Sequence, residues 1–251
     1  MLSITLELQK PLPASQVILI GLLAASLVFV QELWQIVMPF ETVVHESAHV
    51  LAGILTGRTI LSVKIEEAGG GETNIKGKSG PGLAVIFFVG YIGPSAAGLI
   101  AALLISTGRM YAVLWLGLVL VAVMLLAVRN FFGALAIITS GVLLYLVVRY
   151  GTTAVERAAA YFVAWFLLIS GTKLAFGNIR RPKKITDAEK LADMTYVWEW
   201  VWCWLWLALA IAALAVGGRI LIRGNHRGWR GLPWGLGSAS RSRSRQASGC
   251  G

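Results

Sequence analysis

Glu41-Thr42-Val43-Val44-His45-Glu46-Ser47-Ala48-His49-Val50-Leu51-Ala52-Gly53 contains the pattern H-E-x-x-H, and its reading decides what kind of chain this is. On a helix, His45 and His49 stand four residues apart and so share one face, which lets two imidazoles converge on a single ion. Glu46 is their immediate neighbour. These residue types in this pattern fit a zinc peptidase, in which a bound zinc lowers the pKa of water toward roughly 7 and a carboxylate takes its proton as it attacks a carbonyl. The setting strengthens the reading. The two His and the acids Glu41 and Glu46 stand in an apolar run, where each ionisable group costs roughly 2.5 to 3.5 kcal/mol on insertion scales. The plainer alternative is a set of side chains that only hydrogen-bond between helices or line a proton path.

Working outward, the whole chain is apolar. Of its 251 residues 57% are hydrophobic and 14% charged, mean hydropathy is +0.74, and the apolar residues come in runs long enough to cross a bilayer. We therefore expect an all-α polytopic membrane protein. The net charge of +10 does not indicate nucleic-acid binding, because Lys and Arg lie mostly at segment ends and in the tail, where they orient the chain and meet anionic lipid. Cys203 lies in an apolar run and Cys250 beside the last residue, so neither a disulfide framework nor a Cys-rich zinc site is expected.

Gln16 to Met38 is long enough for a first span and lacks the small-residue cleavage site of a secretory signal. Pro39 should end or kink it, and Glu41 to Gly57 should form a second span, its Gly53-x-x-x-Gly57 step admitting a neighbouring helix closely. Thr59 to Lys78 then alternates and turns at Gly69-Gly70-Gly71, which predicts a short β-hairpin. Its open edge could receive an unwound peptide as an added strand, with Val63, Ile65 and Gly70 as the substrate-binding candidates. Further spans are expected over Gly80 to Thr107, whose Gly90-Tyr91-Ile92-Gly93 should face the metal helix, Tyr111 to Val128, Ala134 to Val148, Ala154 to Phe176 and Tyr196 to Ile222. That makes about seven, in a single domain over 1–222, followed by a disordered basic Ser/Gly/Arg-rich tail over 223–251. The hairpin, Arg129-Asn130 and the 177–195 loop then share one side. The basic loop argues that this side is cytoplasmic, and the basic tail argues the reverse.

A catalytic zinc takes three protein ligands and one open position, so the two His are one short. Asp187 is the better donor chemically, being anionic, although an acid in a first helical turn is also favoured by the helix dipole, and Thr186-Asp187-Ala188-Glu189 reads as a capping box. Asn130 is the alternative and could equally be an ordinary N-cap; Glu189 and Asp193 stand behind them.

His45-Glu46-Ser47-Ala48-His49 in a membrane helix, the Gly-rich hairpin, Gly90-Tyr91-Ile92-Gly93, Arg129-Asn130-Phe131-Phe132-Gly133 and Thr186-Asp187-Ala188 together resemble the site-2 protease class of intramembrane zinc metallopeptidases, in its small branch without a PDZ domain. The similarity runs from about Phe40 to Tyr196. It implies a zinc buried in the membrane, Glu46 as base and cleavage of a transmembrane protein substrate in a regulatory cascade, by a multi-pass protein of a bacterial plasma membrane. The Asn-Pro-x-x-Asp-Gly signature of better-known members is absent. Arg129-Asn130-Phe131-Phe132-Gly133 occupies the comparable place without an Asp, and this branch offers Asp187 instead. Two other readings stand beside the peptidase: an inactive protein of the same fold that binds partner helices, and a transporter with a relay through Glu32, Glu41 and the His pair.

Overall fold

A computed structural model describes residues 8–67, 69–77, 80–180 and 187–224. The expected tail from residue 225 onward, the basic residues Arg181, Lys183 and Lys184, and Thr186 of the expected capping box lie outside the described residues. Eight helices and one hairpin follow in the order α1 (Ala14–Phe29), α2 (Gln31–Leu55), β1 (Thr59–Ile65), β2 (Gly71–Lys76), α3 (Pro81–Ser106), α4 (Met110–Ala127), α5 (Phe131–Tyr150), α6 (Thr153–Arg180), α7 (Asp187–Thr195) and α8 (Glu199–Arg223).

Among the described residues five helices, α3, α4, α5, α6 and α8, are long and apolar enough to cross a membrane. The pair α1 and α2 adds a sixth if counted as one broken span, bent by 98°. The expected count of about seven is thus not reached among the described residues. The break also falls elsewhere than expected: Pro39 lies inside a continuous α2, and the chain turns at Val30, whose extended backbone ends one helix and starts the next. Polar contacts from α6 hold this elbow. Lys173 Nζ donates to the Val28 carbonyl at 2.5 Å, satisfying an end carbonyl of α1, and lies 4.0 Å from the centre of the Trp34 ring on α2. Glu32 sits in the first turn of α2, where a negative charge suits the helix dipole.

Around α2 the fold is layered by close approach. Gly93 of α3 faces Ala48, Gly90 faces His49 and Gly82 faces Thr56, so numbers rise along one helix as they fall along the other and the pair is antiparallel. A Cβ on Gly93 would lie 2.5 Å from that of Ala48, so only glycine permits this spacing. The Gly53-x-x-x-Gly57 step works differently from expectation. Gly53 meets Ile60 of β1 rather than a helix, and Gly57, with φ of 69°, turns the chain out of α2.

The expected hairpin forms, antiparallel from Thr59↔Lys76 to Ile65↔Gly71 with a bulge between Ile60 and Ser62. Val63 and Ile65 are fully buried with Val43 and Val50 of α2, Val121 and Met124 of α4 and Ile137 of α5. The far edge of β1 is covered by the segment between α4 and α5. Arg129 N–H donates to the Val63 carbonyl at 2.9 Å, and Val63 and Val128 form a parallel bridge. Asn130 completes the strip with its side chain, donating from Nδ2 to the Ile65 carbonyl at 2.7 Å and accepting at Oδ1 from Ile65 N–H at 3.1 Å. Gly133 is pressed against that amide, since a Cβ there would lie 2.5 Å from Asn130 Oδ1. Asn130 precedes α5 but makes no side-chain cap bond, so it serves as a strand substitute rather than an ordinary N-cap.

Replacing Asn130 by Ala should cost about 1–3 kcal/mol, because two backbone groups of Ile65 lose their partner. Thermal unfolding of the variant should show that loss, while its metal content matches the parent's. Loss of metal at unchanged stability would instead make Asn130 a ligand.

Candidate metal centre

The geometry of α2 sets the two imidazoles. His49 Nδ1 donates to the Ile86 carbonyl of α3 at 2.8 Å, which places the ring proton on Nδ1 and leaves Nε2 a free lone pair. His45 Nε2 lies 3.2 Å from His49 Nε2, with the rings edge to face at 4.9 Å between centres. The third element is α7, whose first residue is Asp187. Its Oδ2 lies 3.1 Å from His49 Nε2 and 3.4 Å from His45 Nε2, while Oδ1 faces Lys190 Nζ at 3.9 Å.

One donor atom from each of these three residues lies within 4.8 Å of the others. Two nitrogens and a carboxylate oxygen are the donor types of a catalytic zinc site with one position left open. The committed tautomer of His49 adds to the fit, because two electron-rich atoms, its Nε2 and Asp187 Oδ2, then face each other at 3.1 Å and a cation between them removes the repulsion. Among the described residues Glu189 and Asp193 stand outside this group, both with exposed side chains. Asn130 is engaged with Ile65 and is not part of it.

Glu46 is buried beside the group, its Oε1 4.0 Å from His45 Nε2. Its other oxygen, Oε2, accepts a hydrogen bond from Thr73 Oγ1 of β2 at 2.5 Å. Gly71 lies against the same carboxylate, and a Cβ there would come within 2.5 Å of Oε1. His49 lies about 9 Å from the end of α2 at the helical rise, so the centre is set below that end. Of the hairpin residues expected to touch substrate, Val63 and Ile65 turn their side chains into the core and their outer backbone groups to the 128–130 segment. Gly70 is open, with φ of 120° at the turn.

A model of the Peptidase M50B-like family matches residues 18–217. The chain belongs to the Peptidase M50B-like family. The resemblance to the site-2 protease class is thereby borne out, and with several apolar helices this M50B-like chain is an integral membrane protein in a lipid bilayer. No curated protein and no solved structure matched it.

Sequence reasoning did not single out several residues that shape the site of this M50B-like chain. Gly90 makes room for it: a Cβ there would lie 2.3 Å from His49 Cε1 and 3.2 Å from Asp187 Oδ2. The small-residue stretch 90–93 gave a packing signal but not this role. Tyr91 sets its ring edge against His45 at 5.0 Å, stacks on Trp206 at 4.6 Å and donates its hydroxyl to Asn178 Oδ1 at 3.2 Å. Nothing in the sequence points to the Ile86 carbonyl or to Thr73.

Gly90→Ala should weaken metal binding about 5- to 150-fold, the equivalent of the ~1–3 kcal/mol that overpacking costs. Competition for zinc against a chromophoric chelator measures it. Parental affinity would show that the ring of His49 has room to move.

Proposed function

We propose that this M50B-like chain is a zinc endopeptidase of a bacterial plasma membrane that hydrolyses peptide bonds of membrane-embedded protein substrates, within regulated proteolysis. One observation carries the proposal: Asp187, 138 residues beyond His49 in sequence, brings its donor atom to those of His45 and His49 next to a buried carboxylate. His45, His49 and Asp187 would hold the zinc. When bound, it supplies Lewis-acid activation of water and of the scissile carbonyl.

The chain's own residues do the rest. Glu46 accepts a proton from the attacking water and passes it to the amide nitrogen as the C–N bond breaks and the new C–O bond forms, so one water is consumed per bond cut. Thr73, bound to Oε2, keeps the base turned with Oε1 toward the His pair.

Hairpin geometry supports a way to present substrate. The Val63 carbonyl and the Ile65 N–H and carbonyl point away from β2, toward residues 129 and 130, so Val63↔Thr73 and Ile65↔Gly71 are the pairs without mutual hydrogen bonds. Their partners Thr73 and Gly71 therefore turn their own backbone groups to the open edge of β2. A substrate strand added there would be bonded by the two residues that also touch Glu46, which brings its backbone to the base. Substrate contact accordingly passes from Val63 and Ile65 to Gly71 and Thr73, with Gly70 forming the turn. The relay reading finds less support, because Glu32 is exposed at the start of α2, about 13 Å along the axis from Glu41.

In proteoliposomes with a fluorescent fusion carrying a glycine-rich transmembrane segment, Glu46→Gln should keep its zinc and lose cleavage by at least about 100-fold, the lower range for removing a general base. Asp187→Asn should lose most of the zinc. Cleavage by Glu46→Gln at the parental rate would refute the mechanism.

A further inference from the structure

The two imidazoles of the metal centre are supported unequally. His49 has its outer nitrogen fixed by the Ile86 carbonyl, whereas His45 Nδ1 is buried with no hydrogen-bond partner. One turn earlier on the same helix stands Glu41, only 1% exposed, whose Oε1 is likewise buried without a partner. Residues four apart lie on one helix face, so these two orphans are neighbours. Each unmet group of this kind costs about 1–3 kcal/mol, and a buried carboxylate costs more.

We propose that Glu41 is the positioning residue for His45. Its carboxylate accepts, through one bridging water, the hydrogen bond that His45 Nδ1–H donates, and so keeps the Nε2 lone pair aimed at the metal position. The inference rests on the metal-site reading above and deepens it. Of the titratable groups that act on Glu41 besides His45, Glu46 is an acceptor and already takes the Thr73 hydroxyl, while the Tyr91 hydroxyl gives its proton to Asn178, so neither competes with His45 Nδ1–H for the Glu41 carboxylate. With it engaged, both imidazoles have the same tautomer, Nδ1–H outward and Nε2 free, and both Nε2 atoms face Asp187 Oδ2. Buried polar groups joined by one water are a common arrangement, and a carboxylate behind a ligating imidazole both orients the ring and raises its basicity.

The test uses the full chain in lipid nanodiscs, with Glu41→Gln and Glu41→Leu. Zinc affinity, read by chelator competition, should fall about 10- to 100-fold in each. The metal-free Glu41→Leu protein should unfold at the parental temperature or above it, since replacing a buried charged group by a hydrophobe is often neutral or stabilising. A general packing defect would lower both together. The second readout is the nitrogen spectrum of selectively labelled histidine in metal-free protein. His45 should be Nδ1-protonated in the parent and a mixture of tautomers in Glu41→Gln. Parental affinity in both variants, or an unchanged His45 tautomer, would overturn the proposal. The tautomer is measured without metal, so it decides the Glu41–His45 link even if the parent chain binds no zinc, a result that would count against the peptidase reading itself.

Discussion

Ionisable groups inside an apolar helical bundle need one another. His45, Glu46 and Asp187 would each be expensive alone among the side chains of α2 and α3, where little water is present to solvate a charge. Their arrangement offsets that expense: the imidazole nitrogens and the Asp187 carboxylate share one point, and the second oxygen of Glu46 is bonded by Thr73. Each partner arrives on a different element, so the elements are committed by the chemistry. The β-hairpin must lie along α2, α3 must come close enough for the Ile86 carbonyl to reach His49, and the start of α7 must fold back onto both.

Packing supplies the necessary closeness, and glycine does it at two positions above all. At Gly90 the missing side chain is the space that His49 and Asp187 use; at Gly71 it is the space of the Glu46 carboxylate. The hairpin is in turn held by its hydrophobic side chains against α4 and α5 and by the backbone and side chain of residues 128–130 along β1. Among the described residues this support leaves the outer edge of β2 without a strand partner, beside the Glu46 carboxylate.

Much of this was legible in the sequence, though unevenly. His45, Glu46 and His49 could be read because the helical period alone puts i and i+4 together, and the hairpin because a glycine run between alternating segments has few other solutions. Asp187 could be favoured by its charge, but its approach to α2 depends on tertiary packing that no local pattern encodes. Asn130 is hard to read for the same reason: an Asn before a helix looks like a spare ligand or a cap, and its partner, the Ile65 backbone, is 65 residues away in sequence. The bend was misplaced because Pro39 is the stronger local punctuation, whereas the break at Val30 is held by Lys173 from a distant helix. Gly53-x-x-x-Gly57 suggested a helix contact because the pattern does not say which neighbour fills the notch, and here it is Ile60.

X-ray absorption at the zinc edge of the purified protein addresses the central claim most directly. A zinc held by His45, His49 and Asp187 should show a first shell of nitrogen and oxygen alone at about 2.0–2.2 Å, with two imidazoles in the outer scattering. A sulfur contribution near 2.3 Å, a single imidazole, or no zinc edge from protein purified without chelators would contradict the account.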